Sequence, residues 1–565
     1  ADRTSEAIGL AVAVLVLLIG FGSVAATGLP LVTAVLGLAV SLAGLGLLAG
    51  HFDFGQAAPT LASMMGLGVG IDYALFLATR HRALLHAGAD PAEAVGRTVA
   101  TSGRAVLVAA ATVAMALAGL CVSGVGFIGS LGVAAGLSVV VAAAASVTLT
   151  PALLGLLGHR IDRLHVRTPV TEPTGESDVW HRWAVLVSRR PWLFLACGML
   201  VLGVLAVPFA SMRLGHVDAG AQSTSRTDRR AYDLITEGFG PGANGPLTVV
   251  TQLDSRQVAD EAQRRELAAS LRGGLEAVPG VASVTAPVTS PDHVLLITTV
   301  TPVTGPQDAA TGDLIHTVQD ETLPRVLSGT GATGYVTGTA ASGQTFTDTL
   351  AAKLPLIIGV VVAAAFLLLL TVFRSPLIAL KAAVLNLFSI AAAYGVVVAV
   401  FQWGWGGSLL GVTEKVPVES YVPMMMFAIV FGLSMDYEVF LLSRIRETWL
   451  HRRDNHLAVA TGLAATARVI TCAALIMTSV FLAFLLSTNV AVKMLALGLG
   501  VSVIIDATVV RLLLVPASMY LFGRANWWIP GWLDRLLPHL DPEGPALPTP
   551  PAPAPVLVRA RGERP

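Results

Sequence analysis

Long apolar segments alternate with short polar connections along this 565-residue chain. A helix needs about 20 apolar residues to cross the hydrocarbon core of a bilayer. The pattern predicts eleven membrane spans, near residues 7–26, 30–50, 59–79, 104–123, 127–157, 191–210, 353–373, 377–401, 421–443, 467–487 and 490–521. One long polar segment, residues 211–350, interrupts the series after the sixth span. The chain is therefore predicted to be a polytopic α-helical membrane protein with one large domain outside the membrane.

Composition agrees with this prediction. Hydrophobic residues make up 54% of the chain and charged residues only 13%, far less charge than a soluble protein of this size carries. The net charge is zero, so nothing suggests a nucleic-acid partner. The three cysteines, Cys121, Cys197 and Cys472, lie in or beside apolar segments, which argues against a disulfide framework or a thiolate metal site. No cofactor or metal is predicted.

Arginine-rich connections follow the third, fifth and ninth predicted spans. Positively charged loops stay on the cytoplasmic side of the membrane. Threading eleven spans alternately then places residue 1 and the inserted segment outside, and the C-terminus in the cytoplasm. The predicted organisation is a five-span bundle (1–157), a cytoplasmic linker (158–190), a span (191–210), an extracytoplasmic domain (211–350), a second five-span bundle (353–521), a tryptophan-rich interfacial helix (522–540) and a disordered Pro-rich tail (541–565).

The chain contains an internal repeat. The stretch MMGLGVGIDYALFLATRHR (64–82) matches FAIVFGLSMDYEVFLLSRIRE (427–447) at an offset of 364 residues, which pairs Asp72 with Asp436 and Tyr73 with Tyr437. Long repeats of this kind are typical of transporters. The second copy consists of a span, an outside domain and five spans, whereas the first has only the five spans. We therefore expect one span and one outside domain to precede residue 1 in a twelve-span protein; a natural eleven-span chain is the alternative.

The inserted segment 211–350 shows the pattern of a small α+β domain. Its predicted strands and helices follow in the order βαββαβ, at 247–253, 259–277, 281–287, 293–301, 307–327 and 334–338. This order is the split-βαβ pattern of ferredoxin-like domains. His293 and His316 are isolated from other ligand-type residues, so no catalytic or metal site is predicted here.

The paired DY motifs, the span–domain–five-span repeat and the ferredoxin-like domain together resemble the RND superfamily. Within it, GLSMDYEVFLLSRIRE and the stretch NWWIPGWLDRLLP (526–538) resemble the MmpL branch of actinobacterial lipid exporters. The resemblance implies an RND-type repeat in the plasma membrane. It also implies export of a lipid or other hydrophobic substrate, driven by the proton-motive force. The chain departs from the family in lacking its first span and first outer domain.

Asp72 and Asp436 each lie about two-thirds of the way along an apolar span. A carboxylate at bilayer depth costs roughly 2.5–3.5 kcal/mol, so we expect the two acids to face each other or a wet cavity. Desolvation disfavours the charged form of a carboxylate, and such an acid can load and release a proton near neutral pH. We predict a proton relay in which Asp72 meets Tyr437 and Asp436 meets Tyr73. The family resemblance implies the same role; a polar contact that only fixes helix register is the alternative.

Residues beside the acids are predicted to shape the site. Phe76 and Phe440 follow one helical turn later on the same face and are predicted to close the site on its cytoplasmic side. Small residues four apart let helices approach closely. The two repeats are therefore expected to pack through such faces, formed by Gly66, Gly70, Ala428 and Gly432.

A further charged pair lies in the last span. In this part of the repeat the offset is one residue longer, so Asp506 and Arg511 align with Val141 and Ser146 of the first repeat. The charged pair is therefore present in the second repeat only. A spacing of five is awkward for pairing on one α-helix, so we expect each to have another partner. The pair serves either as a structural ion pair or in the relay. Glu438 lies about 200° around its helix from Asp436 and is not expected to join the acid site.

Together these features favour a transporter rather than an enzyme, with a lipid or hydrophobic molecule, protons and membrane lipids as partners. No GxxxxGK[ST] motif is present, so ATP is not the predicted energy source. Two other functions share this architecture. They are an RND-type accessory of protein secretion and a non-transporting, sterol-sensing-like receptor. The sequence predicts neither the substrate nor an oligomeric state.

Overall fold

The computed structural model describes residues 11–12, 14–18, 23–55, 57–162, 179–253, 260–412 and 414–537. Within these residues, ten helices are long and apolar enough to cross a membrane. They coincide with ten of the eleven predicted spans. Part of the first predicted span, 7–26, and all of the predicted tail, 541–565, lie outside the described residues.

The first bundle contains four of these helices. They are α1 (Val24–Leu48), α2 (Ala57–His86), α3 (Pro91–Ser123) and α4 (Gly126–Ile161). A short helix, α5 (Val179–Arg189), then leads to the span α6 (Pro191–Ser211). The third helix begins earlier than the hydropathy pattern predicts, because Asp90 accepts a hydrogen bond from the Ala92 amide and Pro91 occupies the first turn, where proline is well tolerated.

The inserted domain follows α6. Its elements are β1 (Leu214–Gly215), α7 (Thr227–Phe239), β2 (Leu247–Gln252), α8 (Glu261–Glu276), β3 (Val281–Val284), β4 (Val288–Thr289), β5 (Leu295–Pro302), α9 (Ala309–His316) and β6 (Thr333–Thr337). The predicted βαββαβ order is present from β2 to β6, with β4 added. The strands pair in the order β3-β5-β2-β6, and each of these pairs is antiparallel. Assignment to the ferredoxin-like class stays a prediction.

The core of the inserted domain lies between the sheet and its helices. Along β2, Leu247 and Val249 are buried and alternate with partly exposed residues, as expected for a strand with one covered face. The helix α8 presents Leu267, Leu271 and Leu275 to the same core. Their spacing of four places them on one side of the helix.

The second bundle begins with α10 (Thr339–Phe373), which starts within the inserted domain and continues through the bilayer region. It is followed by α11 (Pro376–Gln402), the short strand β7 (Val418–Glu419), α12 (Val422–Arg452), α13 (Asn455–Leu486), α14 (Val490–Trp527) and α15 (Gly531–Leu536). The last of these lies in the predicted interfacial segment and bears the 70%-exposed Trp532.

The repeat extends to the ends of the helices. Asp454 caps α13 by accepting from the His456 amide at 2.8 Å, and it is 364 residues after Asp90, which caps α3. Ser123 and Ser487 are likewise equivalent, and each accepts from the amide two residues later. A side-chain acceptor at a helix start satisfies amides that the helix leaves unpaired. The two bundles therefore use the same local signals at the same repeat positions.

The bundles contact each other reciprocally. Helix α3 packs on α12, and the equivalent pair, α13 and α2, also packs together. Gly432 takes part as predicted, since a Cβ there would lie 2.9 Å from Cα of Val113 on α3. The prediction that Gly66 and Gly70 pack against the other repeat is wrong. A side chain at either position would instead meet α1 of the same repeat, because those glycines face away from the other bundle.

Candidate functional site

The helices α2 and α12 bring the four DY residues together at the centre of the bundle. The Tyr73 hydroxyl donates to Oδ2 of Asp436 at 2.9 Å, across 363 residues of sequence. Asp436 is only 3% exposed. Its other oxygen, Oδ1, lies 3.0 Å from the hydroxyl of Thr112 on α3. Both carboxylate oxygens of Asp436 are thus met by hydroxyl groups from the first repeat.

The symmetry-related pair is arranged differently. The Tyr437 hydroxyl interacts with the Asp72 carboxyl, as predicted, but it also lies 2.8 Å from Sδ of Met477. Asp72 is also less deeply buried than Asp436. The residue equivalent to Thr112 is Ile476, which has no hydroxyl to offer. One acid is therefore held by two hydroxyl groups and its counterpart is held more loosely.

A cavity of about 80 Å³ extends from the two acids toward the arginine-bearing ends of α2 and α12. Phe76 and Phe440 lie in its wall and contact each other edge to face, with an interplanar angle of 72°. Polar and charged residues line the path beyond the rings: Thr79, Arg80, Ser102, Arg444 and Thr466. The phenylalanine pair thus lies where it was predicted, between the acids and the basic end of the bundle.

A second charged cluster lies in α12 and α14. Arg511 is fully buried and donates from Nε to Oδ2 of Asp506 at 3.1 Å. The expectation that a spacing of five disfavours this pair is wrong, because residues 506–514 form a π-helical segment. Its wider turn brings residues five apart onto one side. The prediction of further partners holds, since Asp506 also accepts from the Ser434 hydroxyl at 2.7 Å.

The same cluster contains an acid and a base from neighbouring helices. Glu438 is fully buried, and its Oε2 lies 3.5 Å from Nη1 of Arg511. It therefore belongs to this cluster and not to the acid pair, as its helical position predicted. Lys381 on α11, 7% exposed, is a second cation close to Glu438. Two acids and two bases leave the cluster without net formal charge, which reduces the cost of burying them.

Sequence reasoning missed Thr112, Ser434 and Lys381. Lys381 could have been noticed as the one charged residue in the predicted span 377–401. Thr112 and Ser434 carried no signal, because hydroxyl residues are common in apolar helices. Among the described residues, no group of three or more His, Cys, Asp or Glu side chains is arranged to hold a metal ion.

The chain is similar in sequence to several known membrane proteins. Membrane protein YdfJ of Bacillus subtilis is 38% identical over 96% of this chain and 73% of its own length. The mycolic acid-containing lipids exporter MmpL11 of Mycolicibacterium smegmatis is 37% identical over 96% of this chain and 57% of its own length. The chain thus spans little more than half of MmpL11.

A solved structure shares the fold, and a family model matches most of the chain. SecDF in its super-membrane-facing form has a similar fold, with a TM-score of 0.54 and 16% identity, over 93% of this chain and 62% of that one. A model of the MMPL family matches residues 1–194 and 220–538. With its two repeated bundles, its inserted domain and its paired DY motifs, the chain belongs to the MMPL family.

Proposed function

We propose that this protein exports a lipid or other hydrophobic molecule from the plasma membrane, and that protons passing through the DY residues drive the export. The observation that carries the proposal is the hydrogen bond from Tyr73 to Asp436, because it joins the two repeats at a titratable group. A proton that binds to or leaves this acid changes a contact between bundles. Such a change can alter how the bundles pack, which is the coupling that a transporter needs.

The cavity beside the acids supports a route for protons. It begins at Asp72 and Asp436, passes Phe76 and Phe440, and ends among arginines that we place at the cytoplasmic face. Because Asp72 is the more accessible acid, we propose that it exchanges protons with this cavity. Asp436 accepts from two hydroxyl groups of the opposite bundle, so we propose that its protonation changes the contact between the bundles.

The substrate class rests on relatives. MmpL11, at 37% identity, is named an exporter of mycolic acid-containing lipids, and this favours a lipid-like substrate here. The likeness to SecDF, at 16% identity, concerns the fold and does not favour a role in protein secretion. A receptor that does not transport would not need acids in both repeats.

The test uses Asp72→Asn and Asp436→Asn in the native gene product. Asparagine keeps the size and hydrogen-bonding ability of aspartate but does not ionise. We expect each variant to lose export while its membrane level and thermal stability stay normal. Matched controls are Asp90→Asn and Asp454→Asn, the equivalent helix caps, where asparagine serves as well as aspartate.

The measurement is the amount of the native lipid at the cell surface, with and without a protonophore. Near-normal export by both DY variants would overturn the relay and leave these acids a structural role. Export that survives the protonophore in the unaltered protein would overturn the proton as the driving ion.

A further inference from the structure

A two-stranded contact joins the inserted domain to the bundle. Two residues separate the end of α6 from β1, and two residues separate β7 from the start of α12. They pair in parallel, with Leu214 opposite Val418 and Gly215 opposite Glu419. The Val418 amide donates to the Arg213 carbonyl at 2.9 Å and the Ser420 amide to the Gly215 carbonyl at 3.0 Å. The segment that leads directly into α12, the helix that carries Asp436, is therefore hydrogen-bonded to the entry of the inserted domain.

Glu419 reinforces this contact with its side chain. It is only 3% exposed, and its Oε2 accepts from the Val217 amide at 2.9 Å. Its Oε1 lies 3.3 Å from Nδ1 of His216. A buried carboxylate is costly unless it is paired, so the histidine and the amide are what make the position tolerable. The equivalent residue in the first repeat is Gly55, so only the second half carries this acid.

His216 remains open to the side of the inserted domain. Its side chain is 50% exposed and lines a cavity of about 310 Å³ between β1, α9 and the start of α10. On α10 it packs against Gly343, where a Cβ would lie 3.1 Å from the His216 Cβ. Protons from that side of the membrane can therefore reach the imidazole, although its partner Glu419 is buried.

We propose that His216 and Glu419 form a proton-sensitive clasp that makes the inserted domain follow the movement of α12, so that acidity on the side of the inserted domain tightens the coupling between them. This inference rests on the proposed function, in which Asp436 on α12 responds to protonation. It adds a second titratable site, about half the length of α12 from the first, that acts on the transmission of movement and not on the passage of protons.

Several charged groups surround the imidazole. Glu419 contacts it directly from β7, and Asp218 approaches it from the segment after β1. Gly343 and Gln344, which α10 presents to the cavity, carry no charge. The other ionisable groups in the cavity wall are Arg213, Asp308, Asp313 and His316. The imidazole therefore faces two carboxylates at close range.

The direction of the pH effect follows from this surrounding. The hydrogen bond to Glu419 raises the pKa of His216 above its ordinary value of 6.5, assisted by the negative charges of Glu419 and Asp218 and opposed by partial burial. Because the folded-state pKa is raised, the clasp contributes its full stabilisation to the contact between β1 and β7 below the ordinary pKa of histidine. Its contribution is lost as the pH rises through the raised value.

The test measures the position of the inserted domain without requiring transport. Spin labels are placed at Arg325, on the inserted domain, and at Leu409, which is 89% exposed in the connection before β7. The native gene product, without its native cysteines, is reconstituted in lipid nanodiscs, and the distance distribution is measured from about pH 5 to 8, the range in which histidine titrates.

We expect one narrow distance at low pH and a second, broader population that grows as the pH rises. In His216→Gln and Glu419→Gln the broad population should be present throughout and its pH midpoint lost. His316→Gln is the matched control, because this histidine is also half-exposed and pairs with a carboxylate, Asp348, at 3.3 Å. It should behave as the unaltered protein does.

Two results would overturn the clasp: a distance in the unaltered protein that does not change with pH, or a pH response that survives in His216→Gln. The Asp436→Asn variant keeps the two proposals separable, since its clasp should respond to pH normally even though export is lost. If Asp436→Asn exports normally while the clasp responds as expected, the relay fails and the clasp stands.

Discussion

Removal of the buried guanidinium at position 511 should destabilise the protein strongly. In Arg511→Met, Glu438 still has Lys381 nearby, but Asp506 keeps only the Ser434 hydroxyl at 2.7 Å. Breaking a buried ion pair by removing one partner costs about 3–5 kcal/mol.

Arg511→Met is therefore expected to lose about 3–5 kcal/mol of stability. The double variant Asp506→Asn, Arg511→Met removes both charges and leaves the Lys381–Glu438 pair. It should recover to within about 1 kcal/mol of the unaltered protein, as neutral replacement of buried ion pairs often does.

The measurement is the free energy of unfolding in bicelles by steric trapping at pH 7. Arg452→Met, at an exposed arginine near the end of α12, is the control and should change stability by no more than about 0.5 kcal/mol. A loss below about 1 kcal/mol in Arg511→Met, or a double variant no more stable than the single one, would refute the reasoning. Export by the stable double variant then separates the two roles, since retained export assigns Asp506 and Arg511 to structure and lost export assigns them to the relay.

Two further predictions test the asymmetry of the site and the contact between bundles. Tyr73→Phe should reduce lipid export, measured at equal protein level, more than Tyr437→Phe, because the Tyr73 hydroxyl donates to Asp436 at 2.9 Å, whereas that of Tyr437 is shared between Asp72 and the Met477 sulfur; an equal or reversed order would contradict the geometry. Gly432→Ala should cost about 1–3 kcal/mol of stability by overpacking, since its Cβ would lie 2.9 Å from the backbone of α3. Gly28→Ala is the control, because nothing lies within 4 Å of a Cβ at that position, and it should leave the stability nearly unchanged. Equal melting temperatures for the two variants would contradict the prediction and show that the bundles can separate at Gly432 without loss of stability.

The hydrophobic pattern was sufficient to predict most of the fold. Apolar segments of about twenty residues must form helices in a bilayer, because no water is available to pair the backbone groups. Ten of the predicted spans therefore appear as helices in the described part of the chain. The alternation of polar and apolar residues within 211–350 likewise predicted the βαββαβ order, because each strand and helix of that core shows its own local period.

The sequence also determined which residues form the centre of the site. Asp72 and Asp436 stand out since a carboxylate in an apolar helix is costly, and the repeat pairs them without any structural information. Their nearest partners were not predictable in the same way. Thr112 reaches Asp436 across 324 residues of sequence, and neither its residue type nor its position distinguishes it from other hydroxyl residues in the spans.

Tertiary structure alone decided three features. The π-helical segment from Asp506 to Leu514 aligned a pair whose spacing does not suit an α-helix. Gly66 and Gly70 were turned toward α1 rather than toward the other bundle. The two-residue strands β1 and β7, too short to show any periodicity, were joined across about 200 residues. The sequence determines the number of spans, the repeat and the buried acids, because these depend only on how each residue interacts with lipid or water. Hydroxyl partners, helix faces and strand pairs depend on which surfaces meet when all the helices pack together.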